Sequence, residues 1–409
     1  MPRSTTRAPR ARVWVASVAA GVWALAVPLA APSGAEPGGC DVEAGAPSPG
    51  IVPWAQERLG FDRVHEFATG AGVTVAVIDS GLTTVQPQAG LIKFVAPTNV
   101  MGGPYAVGDV YDCEQYGHGT RVASIIAAPE VSGEGFMGLA PDATIMPIKY
   151  YDSDSTDIGG DSAAVARGID AAIGGGARVI NLSLQSPDTP ELRAAMERAA
   201  AADVVVVAPS GNLTGTDIPE PYPGKYADEP GFANVIAVGA IDQNDQLASF
   251  SVTGTQVGVA APGAQILAPT QIQGYFAEDG TSFATPFVSA TAALVRQTYP
   301  KLSAARVVNR IKATADPPGV AVPGPGFGWG IVDPYLAVTA ERSDAKVDMP
   351  PQEIPPAPAP DLPPPPDHTL RNAGMAAGAG LLGLALAVMV ATVAVRQVRE
   401  RDRRTPVAE

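Results

Sequence analysis

Short runs of consecutive apolar residues recur along the middle of the chain. The clearest are VTVAVI (73–78), ATIMPI (143–148), RVINLSL (178–184), DVVVVA (203–208) and NVIAVGA (234–240). They place apolar residues at both odd and even positions, which is typical of strands that are buried on both faces of a parallel sheet. The pattern therefore predicts a strand at each of these runs.

Stretches with helical spacing separate these predicted strands. They are GTRVASIIAA (119–128), DSAAVARGIDAAI (161–173) and TPELRAAMERAAAA (189–202). Alternating strands and helices predict an α/β fold with a doubly wound, mainly parallel sheet and helices on both faces. In such folds ligands bind at the carboxyl ends of the strands. We predict one domain of this kind over residues 65–340.

The first residues resemble an export signal. Four arginines without an acid precede an apolar run over 13–31, and small residues follow at 33–35. This order predicts a cleaved signal peptide over residues 1–35 and an N-terminal extension over 36–64. The alternative is an uncleaved membrane anchor, because the apolar run is long.

A second apolar segment lies near the other end of the chain. Residues 373–395 contain no charged side chain, and they are enough to cross a bilayer core of about 30 Å as a helix. Arginines crowd the following tail, 396–409, which the positive-inside rule places in the cytoplasm. We therefore predict one transmembrane helix over 372–395, with the large domain outside the cell membrane.

Prolines dominate the segment between the domain and this span. Residues 341–371 include PPQEIPPAPAPDLPPPP, which cannot sustain a helix or a sheet interior because proline lacks the amide donor. The composition predicts an extended stalk of the polyproline kind. A disordered linker is the alternative, and it differs only in stiffness.

The charge of the predicted exported part is strongly negative. The whole chain has a net charge of −14, and removing 1–35 and 396–409 leaves 18 basic and 38 acidic residues, a net charge of −20. Such a surface repels phosphates, so we expect no nucleic-acid partner.

Two cysteines, Cys40 and Cys113, are present in the whole chain. An even pair in an exported protein favours a disulfide over two free thiols. Cys113 as a catalytic nucleophile is the alternative, which an oxidising compartment disfavours.

Three polar residues stand at predicted strand ends or helix starts: Asp79 ends a strand, His118 precedes a helix and Ser282 opens one. Each has a structural explanation by itself, as a turn residue or a helix cap. Together they supply the acid, the base and the nucleophile of a serine hydrolase. The other two histidines, His65 and His368, lie in the N-terminal entry and the proline stalk, so His118 is the candidate base.

The order of these residues along the chain discriminates between architectures. Acid before base before serine is the subtilisin order, and no GxSxG elbow surrounds Ser282. Asn212 follows a predicted buried strand and can donate its amide to an oxyanion, although a turn residue is the structural alternative. We therefore add Asn212 to the candidate site, together with the backbone amide of Ser282.

Six sequence segments resemble the subtilisin-like serine peptidases over about 65–290: VAVIDSG, GHGTRVASIIA, VINLSL, SGN, VAAPG and GTSFATP. More narrowly, VPWAQERLGFDRV, GWGIVDPYLAV, the stalk and the C-terminal span resemble the mycosins, membrane-anchored subtilases of type VII secretion systems. The resemblance implies endopeptide hydrolysis through an acyl-enzyme with Asp79, His118, Ser282 and the oxyanion residue Asn212. It also implies protein or peptide substrates and association with the secretion membrane complex.

The chain departs from many subtilases where substrate is expected to bind. Ser183, Leu184, Gln185 and Ser186 replace Ser-Leu-Gly-Gly, and the opposite wall differs from the usual run of alanines. Larger or stiffer residues narrow the pockets and favour restricted cleavage over broad digestion. Our candidate substrate-binding residues are Ser183, Leu184, Gln185, Pro209, Ser210 and Gly211.

The N-terminal extension is shorter than 40 residues up to the first predicted strand, which is too short for a folded prodomain. The resemblance to mycosins implies that it stays attached, held by the Cys40–Cys113 pair. An acidic segment, 152–161, has oxygen ligands suited to calcium, but a solvated loop is the simpler interpretation. We predict no metal site and no cofactor.

Two functions are compatible with these features. The first is a membrane-anchored extracytoplasmic serine endopeptidase associated with a type VII secretion system. The second is a structural subunit that stabilises the secretion membrane complex and has limited or gated peptidase activity.

Overall fold

The computed structural model describes residues 40, 42–86, 88–102, 109–152, 161–213 and 220–341, and also 388–389, 391–392 and 395–396. The chain divides into two units, Met1–Gln352 and Glu353–Glu409. The described residues of the second unit are helical. The fold and the candidate site below belong to the first unit.

The first unit is built on a seven-stranded sheet in the order β2-β3-β1-β4-β5-β6-β7, and every neighbouring pair in it is parallel. An antiparallel pair, β8 and β9, forms a second sheet. The strands are β1 (Thr74–Asp79), β2 (Thr98–Asn99), β3 (Thr144–Lys149), β4 (Val179–Asn181), β5 (Val205–Pro209), β6 (Val235–Ile241), β7 (Val257–Pro262), β8 (Ile266–Pro269) and β9 (Tyr275–Glu278).

Eight α-helices lie within residues 42–341 as described. They are α1 (Trp54–Leu59), α2 (Phe61–His65), α3 (His118–Ala127), α4 (Ser162–Gly174), α5 (Pro190–Ala201), α6 (Thr281–Thr298), α7 (Ala304–Ala313) and α8 (Pro334–Thr339). Two short 3-10 helices cover Ala89–Leu91 and Gly224–Asp228.

The central strand β1 shows why the apolar runs fold as they do. Its residues alternate between two cores: Val75 and Val77 pack into one with α3, α6 and α7, and Ala76 and Ile78 pack into the other with α4 and α5. Successive side chains of a strand point to opposite faces, so a strand covered on both sides needs apolar residues throughout. The two cores are the layers of helices on either face of the sheet.

The predicted α/β class, with its parallel sheet and helices on both faces, is confirmed. Each predicted run contains a strand, and each predicted helix is present with bounds within about three residues. The runs did not predict β2, which has two residues, β7, or the small antiparallel pair of β8 and β9.

Several predicted segments lie outside the described residues. These are the signal peptide over 1–35, nearly all of the stalk and the C-terminal tail, and most of the span over 372–395. Among the residues that the structure does describe, no helix has the length and apolar character needed to cross a bilayer. The membrane span stays a prediction.

Candidate active site

The carboxyl end of β1 brings the candidate acid and base together. Asp79 is the last residue of β1 and His118 is the first residue of α3. The His118 Nδ1 and Asp79 Oδ1 atoms are 2.7 Å apart, and the side chains are 17% and 2% exposed. A buried carboxylate on Nδ1 holds the ring in one orientation and leaves Nε2 available to take a proton.

A serine that sequence reasoning missed fixes the carboxylate. The backbone amide and the hydroxyl of Ser80 both donate to Asp79 Oδ1, at 2.8 and 3.2 Å. The same hydroxyl accepts from the backbone amide of Gly119, at 2.9 Å. A Cβ at Gly119 would lie 2.4 Å from the Gly81 carbonyl oxygen, so glycine is required for this close approach of α3 to β1.

Acidic side chains satisfy the amides at the start of α3. Glu114 Oε2 accepts from the backbone amide of His118 at 3.0 Å, and Asp112 Oδ2 accepts from both the amide and the hydroxyl of Thr120 at 2.8 Å. Asp112 is fully buried, and this burial raises its pKa above the ordinary value. The signal that could have found both residues is the pair of acids just before GHGT, since anions favour helix N-termini.

Opposing influences set the pKa of His118. Burial lowers it, whereas the charge of Asp79 and its hydrogen bond raise it, and the nearby Arg121 guanidinium lowers it. The net result is a pKa above the ordinary value of 6.5. A base with a raised pKa is a stronger proton acceptor, but it needs a higher pH to be neutral.

Ser282 lies in the first turn of α6, and Asn212 binds the residue before it. Asn212 Oδ1 accepts from the backbone amide and the hydroxyl of Thr281, at 3.0 and 2.8 Å. These bonds orient the side chain so that its Nδ2 group faces the same space as the serine. An ideal Cβ position at Gly280 lies 2.9 Å from Ser282 Oγ and 3.7 Å from Asn212 Nδ2.

The proline of GTSFATP has a specific consequence for the serine. In a helix, the amide of residue 286 would donate to the carbonyl of Ser282, but Pro286 has no amide hydrogen. The Ser183 hydroxyl donates to this carbonyl instead, at 2.7 Å, and accepts from Asn181 Nδ2 at 2.9 Å. A hydrogen bond thus connects the candidate substrate-binding segment, through Ser183, directly to the candidate nucleophile.

The candidate substrate-binding residues follow two neighbouring strands. Ser183 and Leu184 are buried just after β4, and Gln185 is half-buried. Pro209 ends β5, and Gly211 has a φ of +109°, which favours glycine. Side chains alternate along an extended segment, and the side chain of Ser210, between these two, is fully buried.

The predicted disulfide is present: Cys40 and Cys113 are bonded, closing a sequence separation of 73. Next to it, the Glu43 carboxylate accepts from Gln115 Nε2 at 2.6 Å and from the Tyr116 hydroxyl at 2.8 Å. The extension therefore binds the loop that leads directly into His118.

Further along, the extension joins the small sheet. Ala46 forms an antiparallel bridge with Tyr275 of β9, and Gly45 donates to the Gln273 carbonyl at 2.9 Å. Over 42–50, the hydrogen bonds that the structure gives run to residues 115–116, 134 and 273–275. Of these positions, 115–116 closely precede His118, and none belongs to the segment after β4 that contains Ser183.

The other histidine that the structure describes, His65, contacts the backbone away from the candidate site. His65 Nε2 lies 3.0 Å from the Leu139 carbonyl oxygen. His368 and most of the acidic segment 152–161 lie outside the described residues. Within the described part of the chain, no group of three or more histidine, cysteine, aspartate or glutamate side chains is placed to hold a metal ion.

The His118 ring, paired with Asp79, lies 5.1 Å from the ring of Phe283, the residue after Ser282. A parallel α/β sheet with these residues beside it is the arrangement expected of a subtilisin-like serine peptidase. The sequence model of the subtilase family matches residues 70–330, and the chain belongs to this family. The enzyme class predicted from the sequence is thereby confirmed.

Within the family, the chain is similar to the mycosins. Mycosin-1 of Mycolicibacterium smegmatis is 33% identical over 402 residues, which cover 86% of each chain. The crystal structure of MycP1 from the ESX-1 type VII secretion system has a TM-score of 0.64 and 30% identity, covering 76% of this chain and 93% of that one. A chain of the periplasmic assembly from the ESX-5 inner membrane complex has a TM-score of 0.63 and 27% identity, covering 80% and 94%.

Proposed function

We propose that the protein is a membrane-anchored, extracytoplasmic serine endopeptidase in which Asp79, His118 and Ser282 form the catalytic triad. The observation that carries the proposal is the 2.7 Å contact between His118 Nδ1 and the buried Asp79 carboxylate. Burying a carboxylate without a basic partner costs free energy. The histidine partner offsets this cost, and in return the carboxylate orients the imidazole and stabilises its protonated form.

In the proposed reaction, Ser282 Oγ attacks the carbonyl carbon of a peptide and His118 Nε2 takes its proton. Asn212 Nδ2 and the Ser282 amide stabilise the oxyanion. The carbon–nitrogen bond then breaks, the imidazolium gives its proton to the leaving amine, and an acyl-enzyme remains. Water hydrolyses this ester by the same proton transfers in reverse. Ser183, Leu184, Gln185, Pro209, Ser210 and Gly211 are the proposed substrate contacts.

The domain organisation of the proposal comes from the sequence. The segments are a signal peptide (1–35), an extension (36–64), the peptidase domain (65–340), a proline-rich stalk (341–371), a transmembrane helix (372–395) and a basic cytoplasmic tail (396–409). Single-pass anchoring in the cell membrane places the substrates on the outer side.

The experiment is active-site labelling of the full-length protein in membranes with a fluorophosphonate probe. Labelling is expected for the wild type and for Thr298→Ala, a hydroxyl loss at the far end of α6, and none for Ser282→Ala or His118→Ala. The Thr298 hydroxyl bonds the Leu294 carbonyl within the helix, so its loss controls for disturbance of α6. Equal labelling of Ser282→Ala would refute the proposal.

A second function is supported by similarity to a chain of the ESX-5 periplasmic assembly. In this role the protein stabilises a type VII secretion membrane complex, and peptidase activity is limited or gated. Deleting the gene should lower the abundance of the assembled complex, and expression of Ser282→Ala should restore it. If the variant does not restore the complex, the structural role depends on catalysis and is not separate from it.

A further inference from the structure

Two segments of the chain, here called walls, flank the start of α6. One wall follows β4 and the other follows β5, which are neighbours in the sheet through Val179↔Val205 and Asn181↔Val207. Both walls contact the start of α6, through Ser183 and through Asn212. In the proposed reaction, a carbonyl bound at Ser282 has its own side chain between residues 183–186 and 209–212.

Side chains already occupy the space against Gly211 in the second wall. An ideal Cβ position at Gly211 lies 2.9 Å from Pro221 Cβ, 3.2 Å from Val252 Cγ2 and 3.3 Å from Gln185 Nε2. Gln185 belongs to the first wall, so its amide reaches across to the second. The two walls are therefore joined by a side chain where a Ser-Leu-Gly-Gly segment would leave a gap.

Pro221 is fixed at this place by the backbone. The Ser186 amide donates to the Tyr222 carbonyl at 2.8 Å, which brings the residues after Gln185 alongside those after Pro221. Leu184 and Ser186 are buried, so the wall that carries Gln185 is anchored on both sides of it. The glutamine thus extends from a rigid segment.

The Gln185 side-chain amide is also free to form a hydrogen bond with a substrate. Within the part of the chain that the structure describes, this side chain has no hydrogen-bond partner, although the residue is half-buried. A polar group in such a place disfavours a large apolar side chain pressed against it, since contact with water would be lost without replacement.

The geometry points to Gln185 as a specificity-determining residue that restricts the substrate residue on the acyl side of the cleaved bond to small side chains, alanine and serine. This inference rests on the proposed function, and it names the substrate class of the same site. Gln185 and Pro221 exclude aromatic and long aliphatic side chains by volume, and the amide can bind a serine hydroxyl.

The test uses the full-length protein in detergent and peptides that differ only in the acyl-side residue: alanine, serine, leucine or phenylalanine. The wild type should show a kcat/KM for alanine at least about tenfold above that for phenylalanine, the scale on which a filled pocket discriminates. In Gln185→Gly the phenylalanine peptide should gain at least about tenfold, with the order reversed. Gln243→Gly, at an exposed glutamine after β6, should keep the wild-type order.

A second readout does not depend on turnover. Peptidyl phosphonates with alanine or phenylalanine modify the reactive serine, and the ratio of their rates should follow the same pattern in both variants. The inference is overturned if the wild type prefers phenylalanine, or if Gln185→Gly leaves the order unchanged. If Ser282→Ala hydrolyses the peptides as well as the wild type, or no serine is modified by any phosphonate, the proposed function itself fails.

Discussion

The helices that carry the candidate base and the candidate nucleophile begin in different ways. Polar side chains hold the first turn of α3: Glu114 and Asp112 come from the preceding loop, and Ser80 directly follows β1. At α6, neutral side chains bind the first turn: Asn212 Oδ1 accepts from Thr281, and the Ser183 hydroxyl donates to the Ser282 carbonyl. Charged groups therefore hold the turn that carries His118, and neutral groups hold the turn that carries Ser282, while most residues of both helices are buried.

This difference teaches where the site can be perturbed without unfolding the protein. Isosteric changes at the charged groups around His118 alter the electrostatics and keep the packing, so they should change catalysis more than stability. Removing a neutral partner of α6 leaves buried groups unpaired, so it should lower stability as well. The predictions below test this contrast, from the largest effect on activity to the smallest.

Replacing Asp79 by asparagine should cause the largest loss among these variants. The isosteric amide removes the charge that stabilises the imidazolium and orients the wrong tautomer, and the corresponding change in a serine protease of another fold lowers kcat by about ten thousandfold. Steady-state kinetics on a peptide substrate measure it, with thermal unfolding as the control for folding. A loss below about tenfold would mean that Asp79 does not support the base.

Asn212→Asp should come next. Aspartate keeps the oxygen that accepts from Thr281, but it lacks the Nδ2 donor and adds a negative charge beside the oxyanion. We expect kcat to fall by at least about a hundred- to a thousandfold with little change in KM, the range known for loss of one oxyanion donor in subtilisin. An effect confined to KM would contradict the oxyanion role.

Ser183→Ala tests the α6 side of the contrast. It removes the donor to the Ser282 carbonyl and the acceptor of Asn181 Nδ2, which leaves two buried groups unpaired. The free energy of unfolding should fall by about 1–3 kcal/mol for such a loss, alongside a moderate loss of activity. Denaturant unfolding compared with Thr298→Ala measures it. Unchanged stability with a large fall in kcat would show that Ser183 acts in catalysis and does not stabilise α6.

Removing the disulfide should change activity least. In the double variant Cys40→Ser/Cys113→Ser, the bonds from Asp79, Ser80 and Asp112 to the base region do not pass through the extension. The free energy of unfolding should nevertheless fall by about 2–4 kcal/mol, since the bond closes a long loop. Thermal unfolding and kcat/KM of the same sample separate the two effects. A large loss of kcat at full folding would show that the extension positions His118.

The sequence predicted the parts of the site that local pattern controls. Continuous apolar runs identified buried strands, and Asp79, His118, Asn212 and Ser282 each stand in a short motif at a strand or helix end. The contact between Asp79 and His118 and the position of Asn212 beside the start of α6 follow from the parallel sheet, because the carboxyl ends of its strands share one edge.

The remaining features depend on contacts between distant segments. Neither the bridge from Ala46 to Tyr275 nor the reach of Gln185 to Gly211 has a periodic pattern that could reveal it. The same holds for Arg121, which is 1% exposed and pairs with Glu278 Oε2 at 2.5 Å. Arginine side chains are mostly exposed, so the sequence predicts an exposed side chain at this position of the helix. Only the structure shows that it is buried and paired.

The rate of fluorophosphonate labelling of Ser282, measured against pH on the full-length protein, tests the central claim most directly. His118 must be neutral to take the serine proton, and Asp79 holds its pKa above the ordinary value of 6.5. The rate should therefore rise with pH through a midpoint above 6.5, and this midpoint should move to lower pH in Asp79→Asn. A rate independent of pH, or a midpoint that Asp79→Asn leaves unchanged, would contradict the account.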